Sequence, residues 1–255
     1  MSVTDTSANT GPTPFAASGA VQDSLLTTGV LNAALGGSSV VVTTTNAAGT
    51  GVGNITVVDP ITWASANSLT LTAANNIAIN GAITTGAAGS ALILNATGNV
   101  TQSAVIGGAG GLTKQGAGNA TLSQANTYTG LTTVSAGTLS AQNATALGTT
   151  VSAGATLDIN GVAIGAEALT ITGTGVGGVG ALTGTGTASL SGTVAIGAAS
   201  TIGGVGTLTL SGVVSGTALT KAGAGTLNLS GANTYTGLTT VSAGRSEEHT
   251  SELQS

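Results

Sequence analysis

Short alternating runs dominate the chain. In Leu169-Thr170-Ile171, Leu208-Thr209-Leu210, Leu227-Asn228-Leu229 and Ile77-Ala78-Ile79, branched apolar residues alternate with small, mostly polar ones. Successive side chains of a strand point to opposite faces, so this period of two predicts strands with Leu, Ile and Val inward and Thr, Ser and Asn outward. Each run spans three to five residues before Gly, Asn or Ser-Gly turns the chain. No stretch pairs an i, i+3, i+4, i+7 apolar spacing with strong helix formers, and the glycine content disfavours helix, so the expectation is all-β.

A longer rhythm sets the arrangement of these strands. Leu112–Gly137 reads LTKQGAGNATLSQANTYTGLTTVSAG and Leu219–Gly244 reads LTKAGAGTLNLSGANTYTGLTTVSAG, identical at 21 of 26 positions. A shorter rhythm runs through and between them: Leu-Ser-Gly begins at Leu190, Leu210 and Leu229, and Val-Ser-Ala-Gly at Val134, Val151 and Val241. Upstream, Leu69-Thr-Leu-Thr-Ala and Leu92-Ile-Leu-Asn-Ala are 23 residues apart. A period near 20 with short strands and turn residues predicts a β-solenoid, a right-handed parallel β-helix with coils of about 20 residues. Residues 53–244 would then give nine or ten coils, about 45 Å at ~4.8 Å per coil. An all-β sandwich is the runner-up, but it does not explain a 26-residue segment returning nearly unchanged.

Composition narrows the chemistry. Of 255 residues 43 are Gly, charged residues make up 4%, and the formal net charge is −5. With no Cys, a disulfide framework, a thiolate metal site and thiol catalysis are excluded. Three basic residues cannot line an electropositive groove, so nucleic acid is excluded as a partner. Hydrophobic residues at 41% supply a thin continuous core and argue against disorder. No apolar run reaches about 18 residues, so no transmembrane segment is expected in this stretch. Met1–Leu26 has neither a basic leader nor an apolar core, so it does not read as a signal peptide.

Four regions are expected. Residues 1–52 are irregular or weakly patterned, although Val40-Val-Val-Thr-Thr fits the start of a coil. Residues 53–111 and 112–244 form coils, the second region holding both 26-residue copies. Residues 245–255 break the pattern, carrying four of the eleven charged residues and the single His. RSEEHTSELQS resembles one reading frame of a common sequencing adapter, so this tail is expected to be foreign to the fold and the chain to be a fragment.

The copies LTKxGAG…LSxANTYTGLTTVSAG resemble the autotransporter-associated β-strand repeat, also called the passenger-associated transport repeat. The positions carrying the resemblance are Lys114, Gly116, Gly118, Asn126, Tyr128, Gly130 and Gly137, and again Lys221, Gly223, Gly225, Asn233, Tyr235, Gly237 and Gly244. Gly53–Ile83, GNITVVDPITWASANSLTLTAANNIAINGAI, is similar to coils of filamentous-haemagglutinin-type exoproteins. These resemblances imply a β-helical passenger, exported through an outer-membrane translocation barrel in the same chain or in a separate partner. They imply display on, or release from, a Gram-negative cell, with host or bacterial surface glycans or proteins as adhesive partners. The function expected is a non-catalytic scaffold that assists export and presents adhesive regions. A pure stalk with binding elsewhere and a secreted β-helix carbohydrate-active enzyme are the alternatives.

Single residues add little chemistry. Lys114 and Lys221 read as solvated corner lysines that discourage edge pairing. Tyr128 and Tyr235 read as packing over a neighbouring coil, and Trp63 as covering the side of the helix. Asp158 and Glu167, nine residues apart, are the one carboxylate pair that glycoside hydrolysis could use; alternation points Asp158 outward, and basic partners are lacking. Gly175-Val-Gly-Gly-Val-Gly180 fits G-x-G-x-x-G without a βαβ setting, so no dinucleotide is implied. The calcium-type nonapeptide beginning at Gly177 lacks the Asp it requires. No catalytic residue, cofactor or metal is therefore expected.

Overall fold

The computed structural model describes residues 2–4, 15–16, 25–44, 53–143, 148–198 and 200–248. They form parallel strands stacked in coils of about 20 residues, a β-solenoid of about nine turns. The chain divides into two units, residues 1–132 and 133–255.

In the first unit each coil contributes one strand to each of three parallel faces. The first face stacks Ile55–Val57, Ile77–Ile79, Val100–Gln102 and Asn119–Leu122. The second stacks Val40–Thr43, Leu69–Ala73, Ala91–Ala96 and Gly111–Gln115. Short strands Ile61–Thr62, Ile83–Thr85, Ile106–Gly108 and Thr127–Tyr128 make the third. Pairing is in register, Leu69 against Leu92 and Leu92 against Leu112, so like residues form inward columns. Val40, Leu69, Leu92 and Leu112 are fully buried, and each such side chain contributes about 1.5–3 kcal/mol relative to exposure.

The second unit repeats the scheme. One face stacks Thr138–Ala141, Thr156–Asn160, Leu182–Thr185, Ser200–Gly204, Leu219–Lys221 and Thr239–Val241. A second stacks Thr149–Val151, Leu169–Ile171, Val194–Ile196 and Val214–Gly216. The third holds Ala163–Ile164, Thr187–Leu190, Thr207–Leu210, Thr226–Leu229 and Arg245–Glu248. Leu190, Leu210 and Leu229 stack directly, and the triplet Leu-Ser-Gly marks that corner in each coil. Arg245–Glu248 pairs with Thr226–Leu229, which sets Ser246 over Leu227 and Glu248 over Leu229, polar residues in apolar columns.

Among the described residues the expectation of no α-helix fails in the segment before Val40. Thr28–Gly37 is a ten-residue α-helix, with the Val30 amide donating to the Thr27 side chain at 3.3 Å and Leu31 and Leu35 buried. Its glycines lie near its ends, while Leu31 and Leu35, spaced i, i+4, fall on one face. Packing of that face offsets the weak propensity. The Leu35 carbonyl also accepts from Ser65 Oγ at 2.5 Å and Asn67 Nδ2 at 2.8 Å, tying the helix to the corner after Thr62. Within residues 1–52, Val40–Thr43 does begin a coil, paired with Leu69–Ala73.

Candidate functional site: the repeated coil

The residues that recur between the two 26-residue copies do their work between coils. In Leu112-Thr113-Lys114 the alternation places Lys114 on the same side as Leu112, next in the column after Val42, Leu71 and Leu94. Lys221 follows Leu139, Leu157, Leu182 and Ile202 in a like column and is itself followed by Val241. Both lysines are buried, 0% and 1% exposed. This corrects the reading of solvated corner lysines. The aliphatic stem continues the apolar column, and the ammonium reaches the turn, where backbone carbonyls replace water.

Lys114 Nζ donates to the carbonyls of Gln115 at 2.9 Å and Gly116 at 2.8 Å. Lys221 Nζ donates to Ala222 at 2.6 Å, Gly223 at 2.9 Å and Ala243 at 3.3 Å. Burial nonetheless disfavours the charged form, lowering Lys114 to about 8 and moving Lys221 in the same direction. Gly116 and Gly223 make the turn possible. Their φ values are +77° and +71°, and a Cβ would run into the Ala96 or the Gly204 carbonyl of the preceding coil. Gly118, Gly130, Gly225 and Gly237 likewise lie against backbone of the preceding coil, while Gly137 and Gly244 end the copies with positive φ.

Asn126 and Asn233 reach backward. Asn126 Oδ1 accepts the Ile106 amide at 2.9 Å and Asn233 Oδ1 accepts the Val214 amide at 3.0 Å, each at the start of a strand one coil earlier. Asn126 also exchanges hydrogen bonds with the buried Gln102 side chain. Tyr128 is buried, its hydroxyl 2.9 Å from Thr132 Oγ1. Tyr235 and Thr239 repeat that pairing at 2.9 Å, and Tyr235 also donates to Glu248 Oε2 at 2.9 Å. Burial, together with the Glu248 charge, raises the Tyr235 phenol. The leucine after Tyr-Thr-Gly faces solvent in both copies, Leu131 at 72% and Leu238 at 83% exposed, and Val241 of the second copy is exposed as well.

The remaining candidates do not converge. Trp63 is buried and donates from Nε1 to the Asn67 carbonyl at 2.7 Å. Asp158 accepts from Ser140 Oγ at 3.3 Å, Thr183 Oγ1 at 2.9 Å and Thr185 Oγ1 at 3.0 Å, a tie across three coils. Glu167 lies in a turn leading to a different face, Leu169–Ile171. Gly175–Gly180 is a corner loop held by Thr156 Oγ1, which accepts the Val176 amide and donates to the Gly180 carbonyl, both at 2.9 Å. Among the described residues no three His, Cys, Asp or Glu side chains gather, and no helix is long and apolar enough to cross a membrane.

Residues 112–141 and 219–245 match the family model described as Passenger-associated-transport-repeat. The 26-residue copies are passenger-associated transport repeats. Together with the β-solenoid fold they fit an autotransporter passenger. The repeat family implies an extracellular or cell-surface location and association with a translocation barrel, and it is generally non-enzymatic. Searches of curated proteins and of solved structures find no match. Sequence reasoning finds the repeat but misses the inward lysine. The signal is present, since Leu-Thr-Lys obeys the same alternation as Leu-Thr-Leu.

Proposed function

We propose that the coils over residues 53–244 act as a non-catalytic passenger scaffold that assists export through an outer-membrane barrel and presents adhesive regions at the surface of a Gram-negative cell. The observation that carries this reading is where the repeat spends its polar groups: Asn126 and Asn233 bond the preceding coil, Lys221 reaches the turn of the following one, and Tyr128 bonds Thr132 within its own corner. A repeat built this way stabilises a stack. The near absence of charge and of Cys suits a chain that threads unfolded and then folds coil upon coil. Residues 53–111 extend the same scaffold, with coils similar to haemagglutinin-type exoproteins.

The test is export of the chain fused to a leader and a β-barrel. Deleting 219–244 should reduce surface display more than deleting an equally long stretch between the repeats. Equal display for both deletions would remove the export role. Separately, the displayed chain should retain cells on a glycan- or protein-coated surface; no retention would leave a stalk whose adhesive region lies elsewhere.

A further inference from the structure

We infer that Asn160–Gly161 is a self-modification site, where the asparagine closes to a succinimide and reopens as an aspartyl or isoaspartyl residue. The dipeptide Asn-Gly occurs twice in the chain, in Ile79-Asn80-Gly81 and in Ile159-Asn160-Gly161. Both follow a buried isoleucine at the end of a stacked strand, Ile77–Ile79 in one unit and Thr156–Asn160 in the other. A glycine leaves the backbone nitrogen after the asparagine unshielded, so local sequence gives both pairs the same chemistry. The fold separates them.

At Asn80–Gly81 the reacting groups are held. Asn80 Oδ1 accepts from Ser103 Oγ at 3.0 Å, and the Val57 carbonyl accepts the amides of Asn80 at 2.8 Å and Gly81 at 3.0 Å. Gly81 is buried, and a Cβ there would run into the Val58 and Asp59 carbonyls, so its peptide has no room to turn. At Asn160–Gly161 the restraint on the attacking nitrogen is a single bond, from the Gly161 amide to the Thr185 carbonyl at 2.8 Å. Among the described residues no hydrogen bond holds the Asn160 side chain. Gly161 is exposed, has φ of +69°, and has open space where a Cβ would be.

The Gly161 nitrogen attacks Asn160 Cγ. The N–Cγ bond forms and the Cγ–Nδ2 bond breaks, and Nδ2 leaves as ammonia with the proton that the Gly161 nitrogen gives up. Water then adds across one of the two imide C–N bonds. Opening on the Cγ side yields aspartate, and opening on the backbone carbonyl side yields isoaspartate. Each event adds one negative charge to a chain whose formal net charge is −5. The new carboxylate stands two residues from Asp158 on the same outward side of the strand, where Asp158 already accepts from Thr183 and Thr185 of the next coil. Like charge there, or the extra backbone methylene of isoaspartate, loosens the tie between the two coils.

The inference is independent of the export reading. Its test is peptide mapping by mass spectrometry of the folded 255-residue chain, aged in mildly alkaline buffer made with heavy-oxygen water. Label should enter at position 160 as both isomers, about tenfold faster than at position 80, since the held side chain and packed backbone of Asn80 raise its barrier by roughly one hydrogen bond. In denaturant the two rates should converge, because only local sequence then acts. Equal rates in the folded chain, faster labelling at position 80, or a folded ratio no different from that in denaturant overturns the inference. Gly161→Ala should slow labelling at position 160, and undiminished labelling would overturn the succinimide route. Should that variant not fold, the folded and denatured rates of the unmodified chain decide alone.

Discussion

Asn126 accepts the backbone amide of Ile106 through its side chain at 2.9 Å, one coil back, and is itself almost fully buried. The bond fills a donor that the first residue of the strand Ile106–Gly108 would otherwise present unmet at a corner. Asn126→Ala should cost about 1–3 kcal/mol, the penalty of an unsatisfied buried donor. Asn126→Asp keeps the acceptor and should recover a share of that loss. The urea midpoint of each variant measures the difference, and equal loss for Ala and Asp would assign the effect to packing alone.

The two tyrosines sit in the same motif but in different surroundings. Tyr128 bonds Thr132 in the interior, whereas Tyr235 makes its bond to Thr239 in a half-exposed corner. Tyr128→Phe should lower stability by about 1 kcal/mol. Tyr235→Phe should cost less, because water competes for the same groups. Thermal unfolding of the two variants side by side tests the ordering.

Lys114 carries a pH signature. Its folded value of about 8 lies below the ordinary 10.5, with burial as the cause. Below pH 8 both folded and unfolded chains hold the proton, so the group adds no slope. Above pH 8 the unfolded chain binds more protons than the folded one, and stability rises with pH toward 10.5. Lys221 shifts in the same direction and adds to the rise. The raised Tyr235 phenol works the opposite way near pH 10, so the window to read is about pH 8–9.5. Denaturant midpoints should climb across it in the unmodified chain and climb less in Lys114→Met; a titration of the Lys114 side chain by NMR should centre near 8.

Glycines in turns differ in what surrounds them. Gly223 combines φ of +71° with a carbonyl where Cβ would go, whereas Gly154 has φ of +82° and open space around it. Gly154→Ala should cost only the left-handed conformational penalty, about 1–2 kcal/mol. Gly223→Ala must also push adjacent coils apart and should cost several kcal/mol, with loss of cooperative unfolding as the readout. Similar losses for both would mean that coil spacing is not set at that turn.

The alternation, the turn residues and the 26-residue repeat were legible in the sequence because each is a local pattern. Leu-Thr-Leu-Ser-Gly specifies a strand, its inward face and its corner without reference to anything distant, and near-identity of Leu112–Gly137 and Leu219–Gly244 implies a common stacking role. The helix at Thr28–Gly37 was harder to read, since Leu31 and Leu35 stabilise it only by packing on neighbours that the local sequence does not name.

What the sequence determined by itself was therefore the fold class and the side of each strand on which an apolar residue sits. The fate of the polar motif residues was decided by tertiary structure alone. Charge made Lys114 and Lys221 look solvated, yet a lysine is tolerated inside when its stem extends an apolar column and its ammonium finds carbonyls. Those carbonyls belong to glycine turns, and one of them, Ala243, lies 22 residues further along the chain. Only the stacking of one coil on the next brings such an acceptor within reach, because desolvation of the ammonium is offset by bonds that do not exist until the coil has closed.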